Sequence, residues 1–217
     1  MKKLQPILLL FFILFSTSLF AQRSEQSLID EGVVLHDSGE YKQAIEKYQQ
    51  VLSFNPHSLQ AIYEMALSYL ELKDYEKAME YSTRVIDADE ENLSMLAYCV
   101  KSEALAEMNQ LDKAIDLLKE ALNKHGDNYL LHFNLALNYY KKNDIGNALL
   151  HVKRSIDLNK SNSDAFLLNA YALNDAGLWV QSILSFQMFL LIEPDSQRSK
   201  NAFEEMLQIM RIKPVSE

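Results

Sequence analysis

Apolar and polar positions recur with the period of an amphipathic helix over most of this chain, and the pattern is clearest from residue 129 to residue 162. In each half of that stretch, apolar residues return every three or four positions. The polar segment 142–144 separates the halves, so the stretch predicts two helices joined by a tight turn. The apolar positions are Leu131, Leu135, Ala136 and Tyr139 in the first half and Ile145, Ala148, Leu149, Val152 and Ile156 in the second.

Small residues show that this pair of helices is a repeating unit. The small residue in the middle of each second helix returns after 34, 36, 34 and 34 residues, and another column of small residues marks each first helix. Small side chains let paired helices approach closely, so we expect both columns at the helix crossings. The second-helix column is Ala44, Ala78, Ala114, Ala148 and Ser182, and the first-helix column is Gly32, Ala66, Ser102, Ala136 and Ala170.

A third column marks the turn between paired helices. Four of its five residues are glycine or asparagine, which tolerate positive φ. Prolines follow two of the second helices, where they would stop the helix. The turn column is Gly39, Lys73, Asn109, Asn143 and Gly177, and the prolines are Pro56 and Pro194.

Through these columns the chain resembles the tetratricopeptide repeat family over roughly residues 25–196. The resemblance implies an all-α, right-handed solenoid of five helix-turn-helix repeats, at 25–58, 59–94, 95–128, 129–162 and 163–196. Ser82, His132 and a two-residue insertion within 88–94 depart from the family pattern, so we expect altered packing near the second and third repeats. After Pro194 the period is expected to stop. Phe203, Met206, Leu207 and Met210 predict an apolar face on one capping helix at 197–213.

Residues 1–21 have the parts of a bacterial secretory signal. Lys2 and Lys3 precede the apolar run 7–15, and Ala21 offers a small residue for cleavage. The apolar run is shorter than the ~20 residues of a membrane-spanning helix. Leu19 stands where a small residue is preferred, so an uncleaved amino-terminal anchor stays an alternative. The pattern predicts export to the periplasm or cell envelope, or secretion.

Charge and cysteine content exclude several classes of function. Removing residues 1–21 takes away two lysines and no acid, which leaves 19 basic and 30 acidic residues and changes the formal charge from −9 to −11. Such a chain is unsuited to nucleic acid or to an anionic membrane surface. The single cysteine, Cys99, excludes an intramolecular disulfide and a thiolate zinc cluster. Cys99 is either a small buried residue or a partly exposed one on the inner surface.

The sequence offers no constellation for catalysis, so we predict a non-enzymatic protein with no catalytic residue, metal, cofactor or small-molecule substrate. The five histidines form no closely spaced pair on one helical face, and no glycine-rich phosphate loop or nucleophile elbow is present. The acidic segment 87–92 lacks the spacing and the glycine of an EF-hand loop. We interpret it as a solvated helix connection.

In the family, the first helices line a concave groove that is the usual peptide-binding surface. The groove columns are apolar and aromatic in the carboxyl-terminal half, with acidic residues beside them. They predict binding of an apolar or aromatic segment flanked by basic residues. Lys141 and Asn174 lack a second cation beside them, which argues against a clamp for a terminal carboxylate. The alternative is that Phe133, Leu137 and Tyr171 only bury one another or the next helix. The predicted groove residues are Tyr63, Leu67, Glu103, Glu107, Phe133, Leu137, Tyr140, Leu167, Tyr171 and Asn174.

These observations predict a scaffold for protein–protein interaction in the cell envelope, with a protein or peptide partner that the sequence does not identify. Two other interpretations stay open. The chain could associate with itself as a homo-oligomer, or it could be an accessory subunit of an envelope secretion or enzyme complex.

Overall fold

The computed structural model describes residues 25–212, and every regular element in this range is an α-helix. The predicted signal at 1–21 lies outside the described residues, as does the last residue of the predicted capping helix. The all-α fold class is confirmed. The helices are α1 (25–37), α2 (Tyr41–Phe54), α3 (Leu59–Glu71), α4 (Tyr75–Ala88), α5 (Glu91–Glu107), α6 (Leu111–His125), α7 (Tyr129–Lys141), α8 (Ile145–Leu158), α9 (Ser163–Asp175), α10 (Trp179–Ile192) and α11 (Gln197–Ile212).

The chain forms two compact units, and the boundary between them falls after Val100, inside α5. In the first unit, α3 packs against α2 and α4. In the second, each helix from α6 to α10 packs against its successor, and α7 also touches α9. Within the described residues, no helix is long and apolar enough to cross a membrane.

The small-residue columns lie at the helix contacts, as the spacing predicts. All five residues of the second-helix column are fully buried, and those of the first-helix column are buried too. Gly32 shows why the column is small. A Cβ atom at this position would lie 2.3 Å from Cε1 of Tyr48. Because the Tyr48 ring is itself fully buried, it has no room to withdraw.

The turn column has one geometry throughout, and all five of its residues have positive φ. In every turn the same two backbone hydrogen bonds close the preceding helix. For example, Lys73 N donates to Leu70 O and Asp74 N donates to Tyr69 O, each at 2.9 Å. This is the Schellman arrangement, in which a left-handed residue lets the chain reverse while the last carbonyls stay bonded. Lys73 adopts it at φ 61° although lysine has no intrinsic preference for that region.

The departures from the family pattern have local structural consequences. After the inserted residues, α5 runs for 17 residues where α3, α7 and α9 have 13 each. The connection before it contains Asp89 in the left-handed region. Ser82 is fully buried and donates its hydroxyl proton to Ala78 O at 2.6 Å. A polar residue is accommodated in this column because its own helix satisfies the hydroxyl.

The last helix, α11, packs on α10 through a face that differs from the predicted one. Ala202 and Met206 are buried in a cluster with Phe166, Phe186 and Phe189. Phe203 and Met210, predicted to belong to the buried face, are 48% and 50% exposed, so that part of the prediction is wrong. The buried positions of α11 instead follow those of α9 at an offset of 34 residues. For example, Ala202 corresponds to Leu168 and Met206 to Ala172.

We predict that Gly32→Ala destabilises the fold by about 1–3 kcal/mol, because the added methyl overlaps the Tyr48 ring. The matched control is Gly146→Ala in α8, where a Cβ would meet only Asp144 Oδ1 at 3.9 Å. Alanine is the better helix former, so the control should gain up to ~1 kcal/mol. Urea denaturation followed by circular dichroism compares the two. Equal gains in both variants would contradict the close approach at Gly32.

Candidate protein-binding surface

In the second unit, α7 and α9 are each the first helix of a repeat, and together they present a stripe of large side chains. In α7 the residues Phe133, Leu137 and Tyr140 recur at intervals of four and three, beside a fully packed stripe that includes Leu131 and Leu135. In α9 the same positions, 34 residues later, hold Leu167, Tyr171 and Asn174. All six are half-buried. We call the surface formed by these six residues the α7/α9 face.

Helix caps fix where these two helices begin. The side chain of Asn128 accepts a hydrogen bond from Leu130 N at 2.8 Å, and that of Asn162 accepts one from Ala165 N at 3.2 Å. Asparagine is a favoured N-cap residue because its side chain satisfies an amide that the helix leaves free. The two caps occupy equivalent positions, so the stripes start in the same register.

The α7/α9 face rests on buried residues and keeps part of its own surface in solvent. Phe133, Leu137 and Tyr140 pack against a cluster of Ala136, Val152, Ala165 and Leu168. Leu167 and Tyr171 pack against the cluster beneath α10 and α11, and the Tyr171 ring meets Phe186 edge-on with centroids 5.4 Å apart. The structure thus contains features of both sequence interpretations. These residues support the core, and they are also accessible.

The two tyrosine hydroxyls on this face are bonded to acids. Tyr140 donates to Asp175 Oδ2 at 2.7 Å, and burial together with this carboxylate raises the pKa of Tyr140 to about 12. Burial, the negative charge of Glu205 and a hydrogen bond to it raise the pKa of Tyr171 to about 12. Both phenols therefore stay neutral at physiological pH.

Glu107, which the sequence interpretation offered to basic residues of a partner, already has a cation beside it. Lys141 Nζ lies 2.7 Å from Glu107 Oε1, so the glutamate of α5 pairs with the lysine of α7. Glu103 is exposed on the same helix. The pairing also neutralises the one lysine that the clamp would require, which strengthens the argument against a carboxylate clamp. At the other edge, Arg198 of α11 pairs with Asp164 of α9.

The two predicted groove residues of the first unit lie on α3 and are likewise half-buried. Tyr63 packs against Ile62, Val85 and Ala97. Burial, followed by the charge of Glu64, raises its pKa to about 12. Leu67 lies one turn further along the helix. Tyr63 and Leu67 form a smaller surface on the first unit.

The sequence interpretation missed a pair of histidines that the fold brings together. His132 of α7 and His151 of α8 lie with their Nδ1 atoms 2.9 Å apart. His132 Nε2 also contacts Asp127 Oδ1 at 3.3 Å, and Asp127 is bound in turn by Arg154. A pair that forms between two helices leaves no spacing signature within either helix. Its signal in the sequence is that both histidines fall on the facing sides of the antiparallel helices α7 and α8.

The histidine pair acts as a packing contact between α7 and α8. His132 is buried, and the His151 ring stacks on Tyr139 with centroids 5.5 Å apart. The Asp127 carboxylate accepts a hydrogen bond from His132 Nε2, and one of the two facing Nδ1 atoms donates to the other, in a direction set by the tautomers. Burial, His132 and Lys119 together lower the pKa of His151. Within the described residues, no group of three or more His, Cys, Asp or Glu side chains could hold a metal ion.

Comparison with known proteins agrees with this architecture. Two family models, both described as tetratricopeptide repeat, match residues 35–97 and 99–162, which together make up more than half of the chain. Consecutive helix pairs with small crossing residues define a helical-repeat protein. The chain belongs to the tetratricopeptide repeat family.

Solved structures share the fold at low sequence identity. A thermophilic TPR protein of Thermus thermophilus, TTC0263, is 21% identical with a TM-score of 0.74, and the match covers 85% of this chain and 99% of that one. A tetratricopeptide repeat protein of Parabacteroides merdae is 14% identical with a TM-score of 0.71, covering 83% and 70%. YrrB, a TPR protein described as having an unusual peptide-binding site, is 16% identical with a TM-score of 0.53, covering 88% and 97%. No curated protein matches the sequence significantly.

We predict that the fold loses stability as the pH falls from 6.5 towards 5. The pKa of His151 is lower in the folded chain than its ordinary value of 6.5, so the unfolded chain binds more protons in this window. The stability contributed by the neutral imidazole is complete above pH 6.5 and declines below it, down through the folded pKa. Urea denaturation at pH 7.5 and pH 5.5 measures the difference.

The control for this prediction is the same measurement on two variants. His151→Gln should show a smaller loss between the two pH values than the unmodified chain. His57→Gln changes an exposed histidine in the loop after α2 and should leave the loss as it is. If both variants keep the full pH dependence, another group is responsible.

Proposed function

We propose that this chain is a non-enzymatic scaffold that binds an apolar or aromatic peptide segment on the α7/α9 face. The observation that carries the proposal is the run of half-buried Phe133, Leu137, Tyr140, Leu167 and Tyr171 across two neighbouring first helices. Large apolar side chains that are already anchored in a core lose little entropy when a partner covers the remainder. Such surfaces provide most of the energy in many interfaces.

The charges around the face specify the kind of peptide. Carboxylates lie along its edges, and the neighbouring cations Lys141 and Arg198 are each paired with an acid. A partner with basic residues on either side of an apolar segment would meet this field favourably, whereas an acidic one would be repelled. The carboxylates are Glu107, Asp164, Asp175 and Glu205, and Glu103 lies about one turn before Glu107 on α5.

Two further observations support a binding role without catalysis. The pair of His132 and His151 is a packing contact between α7 and α8. His132 is buried there, so a substrate could not reach it. The fold is also shared with YrrB, whose description includes a peptide-binding site. The peptide-binding site is a property of YrrB and supports a binding role for this chain by analogy.

The sequence pattern of residues 1–21 supports a proposed location for this activity. A basic start, an apolar run and a small residue at the exit favour export, so we propose the periplasm or cell envelope. Cell fractionation followed by immunodetection would test this part independently of binding. Recovery of the full-length chain from the cytoplasm would overturn it.

The test of the binding site uses a peptide array in which a fixed apolar and aromatic core is flanked either by lysines or by glutamates. The unmodified chain should bind the lysine-flanked peptides at least about tenfold more tightly. Phe133→Glu combined with Tyr171→Glu should remove this binding, because a buried carboxylate without a partner is costly at an interface. Circular dichroism checks that the helical content is unchanged.

The matched control is Leu150→Glu, an apolar-to-acid change on α8 at a side chain that is 64% exposed. It should bind peptides like the unmodified chain. If the double variant loses helix, the two residues are core and the site assignment fails. If the unmodified chain does not distinguish the two peptide sets, the charge argument fails even where binding is observed.

A further inference from the structure

The outward surface of α10 differs from the outward surfaces of the other second helices. Leu184 and Leu191 are 57% and 76% exposed, and Val180 and Met188 are exposed on the same side. These four positions lie within about 80° of one another around the helix, since each residue advances it by ~100°. We call them the α10 patch. It lies on the second helix of its repeat and is distinct from the α7/α9 face.

The equivalent positions of the preceding repeats are exposed and almost all polar, so the patch is not a property of the repeat itself. Polar residues are favourable on a surface that faces solvent. Among the residues equivalent to Leu184 and Leu191, Leu150 is the apolar exception. The column of Leu184 contains Glu46, Glu80, Asp116 and Leu150, and the column of Leu191 contains Ser53, Asp87, Asn123 and Asp157.

The size of the patch is that of an interface element. Four large apolar side chains at these exposures present on the order of 400 Å² per copy, within the range of functional patches on soluble proteins. Two such patches facing each other would bury about half the area of a standard protein interface. An interface of this size belongs to the class of weak, transient associations.

The charge pattern favours a second copy of this chain as that partner. No residue of α10 is charged, in a chain whose net charge is −9, so this helix is a surface on which two copies can meet without like charges in contact. Between Leu184 and Leu191, beside the patch, lies the exposed Gln187, whose amide both donates and accepts and can therefore pair with its own copy. A lysine or a glutamate at that position could not do so.

We propose that two copies of this protein associate through the α10 patch, with the two α10 helices antiparallel about a two-fold axis. A two-fold axis perpendicular to a helix makes the pair antiparallel, so each positive helix end lies beside a negative one. Leu184 and Gln187 lie nearest the middle of the helix and meet their own copies across the axis. The proposal does not depend on peptide binding at the α7/α9 face.

The experiment is analytical ultracentrifugation of the protein isolated from its native cells and of variants prepared in the same way, from 1 to about 100 μM. The unmodified protein should form a dimer at the higher concentrations. Leu184→Glu should weaken dimerisation at least about tenfold, because it places two carboxylates together in an apolar contact. Leu150→Glu, at the same column of α8, should leave it unchanged. Circular dichroism should show equal helix in all three.

Mixing two variants distinguishes self-association from every other occupant. An equimolar mixture of Leu184→Glu and Leu184→Lys should recover dimers that neither variant forms alone, since opposite charges then face each other across the axis. The proposal is overturned if the unmodified protein stays monomeric at every concentration, or if the mixture does not recover. It is also overturned if Leu184→Glu leaves dimerisation unchanged and instead abolishes binding of a different protein or of a neutral lipid vesicle. Peptide binding to the lysine-flanked set should persist in the Leu184 variants, so the two proposals fail separately.

Discussion

The structure depends on how closely the two helices of each repeat approach. Gly32 shows the limit most clearly, since even one methyl group would overlap the buried Tyr48 ring. In the other repeats, alanine or serine occupies the same columns and is fully enclosed. Close contact brings the flanking large side chains into one packed layer, where dispersion and burial stabilise the pair. A repeat with larger residues at these crossings would lose that layer, because its neighbours are already close-packed.

The close approach also explains the turns. Two helices in such contact must be joined by a reversal of fixed geometry, and the same Schellman bonds occur in all five turns. Glycine and asparagine favour that reversal, but Lys73 shows that they are not essential. At Lys73 the packing of α3 against α4 imposes the left-handed conformation, while Asp74 caps the following helix through Lys77 N. Tertiary contact therefore overrides the local preference of this residue.

Features that follow from the spacing of residues could be predicted from the sequence, whereas contacts between side chains of different helices could not. The small columns, the turn positions and the all-α class follow from spacing, and the structure confirms them. The Lys141–Glu107 pair joins long side chains from consecutive first helices, and the spacing of apolar residues does not indicate such contacts. The His132–His151 pair was missed for a related reason, since it forms between helices. The face of α11 was misjudged because the period was assumed to end at Pro194. The buried Ala202 and Met206 continue it.

Packing inside the protein explains one of the two proposed binding surfaces, the α7/α9 face, but not the other, the α10 patch. Residues of the α7/α9 face are held by the clusters beneath them, so their exposure is a by-product of a stripe that also stabilises the repeat. The exposed leucines of α10 have no such explanation. At the corresponding positions α2, α4 and α6 have polar residues, and these helices pack in the same repeat arrangement. Clustered apolar side chains that keep about half or more of their surface in solvent lower solubility unless another surface covers them. Packing therefore accounts for the α7/α9 face and leaves the α10 patch without an explanation, which is the reason for proposing self-association there.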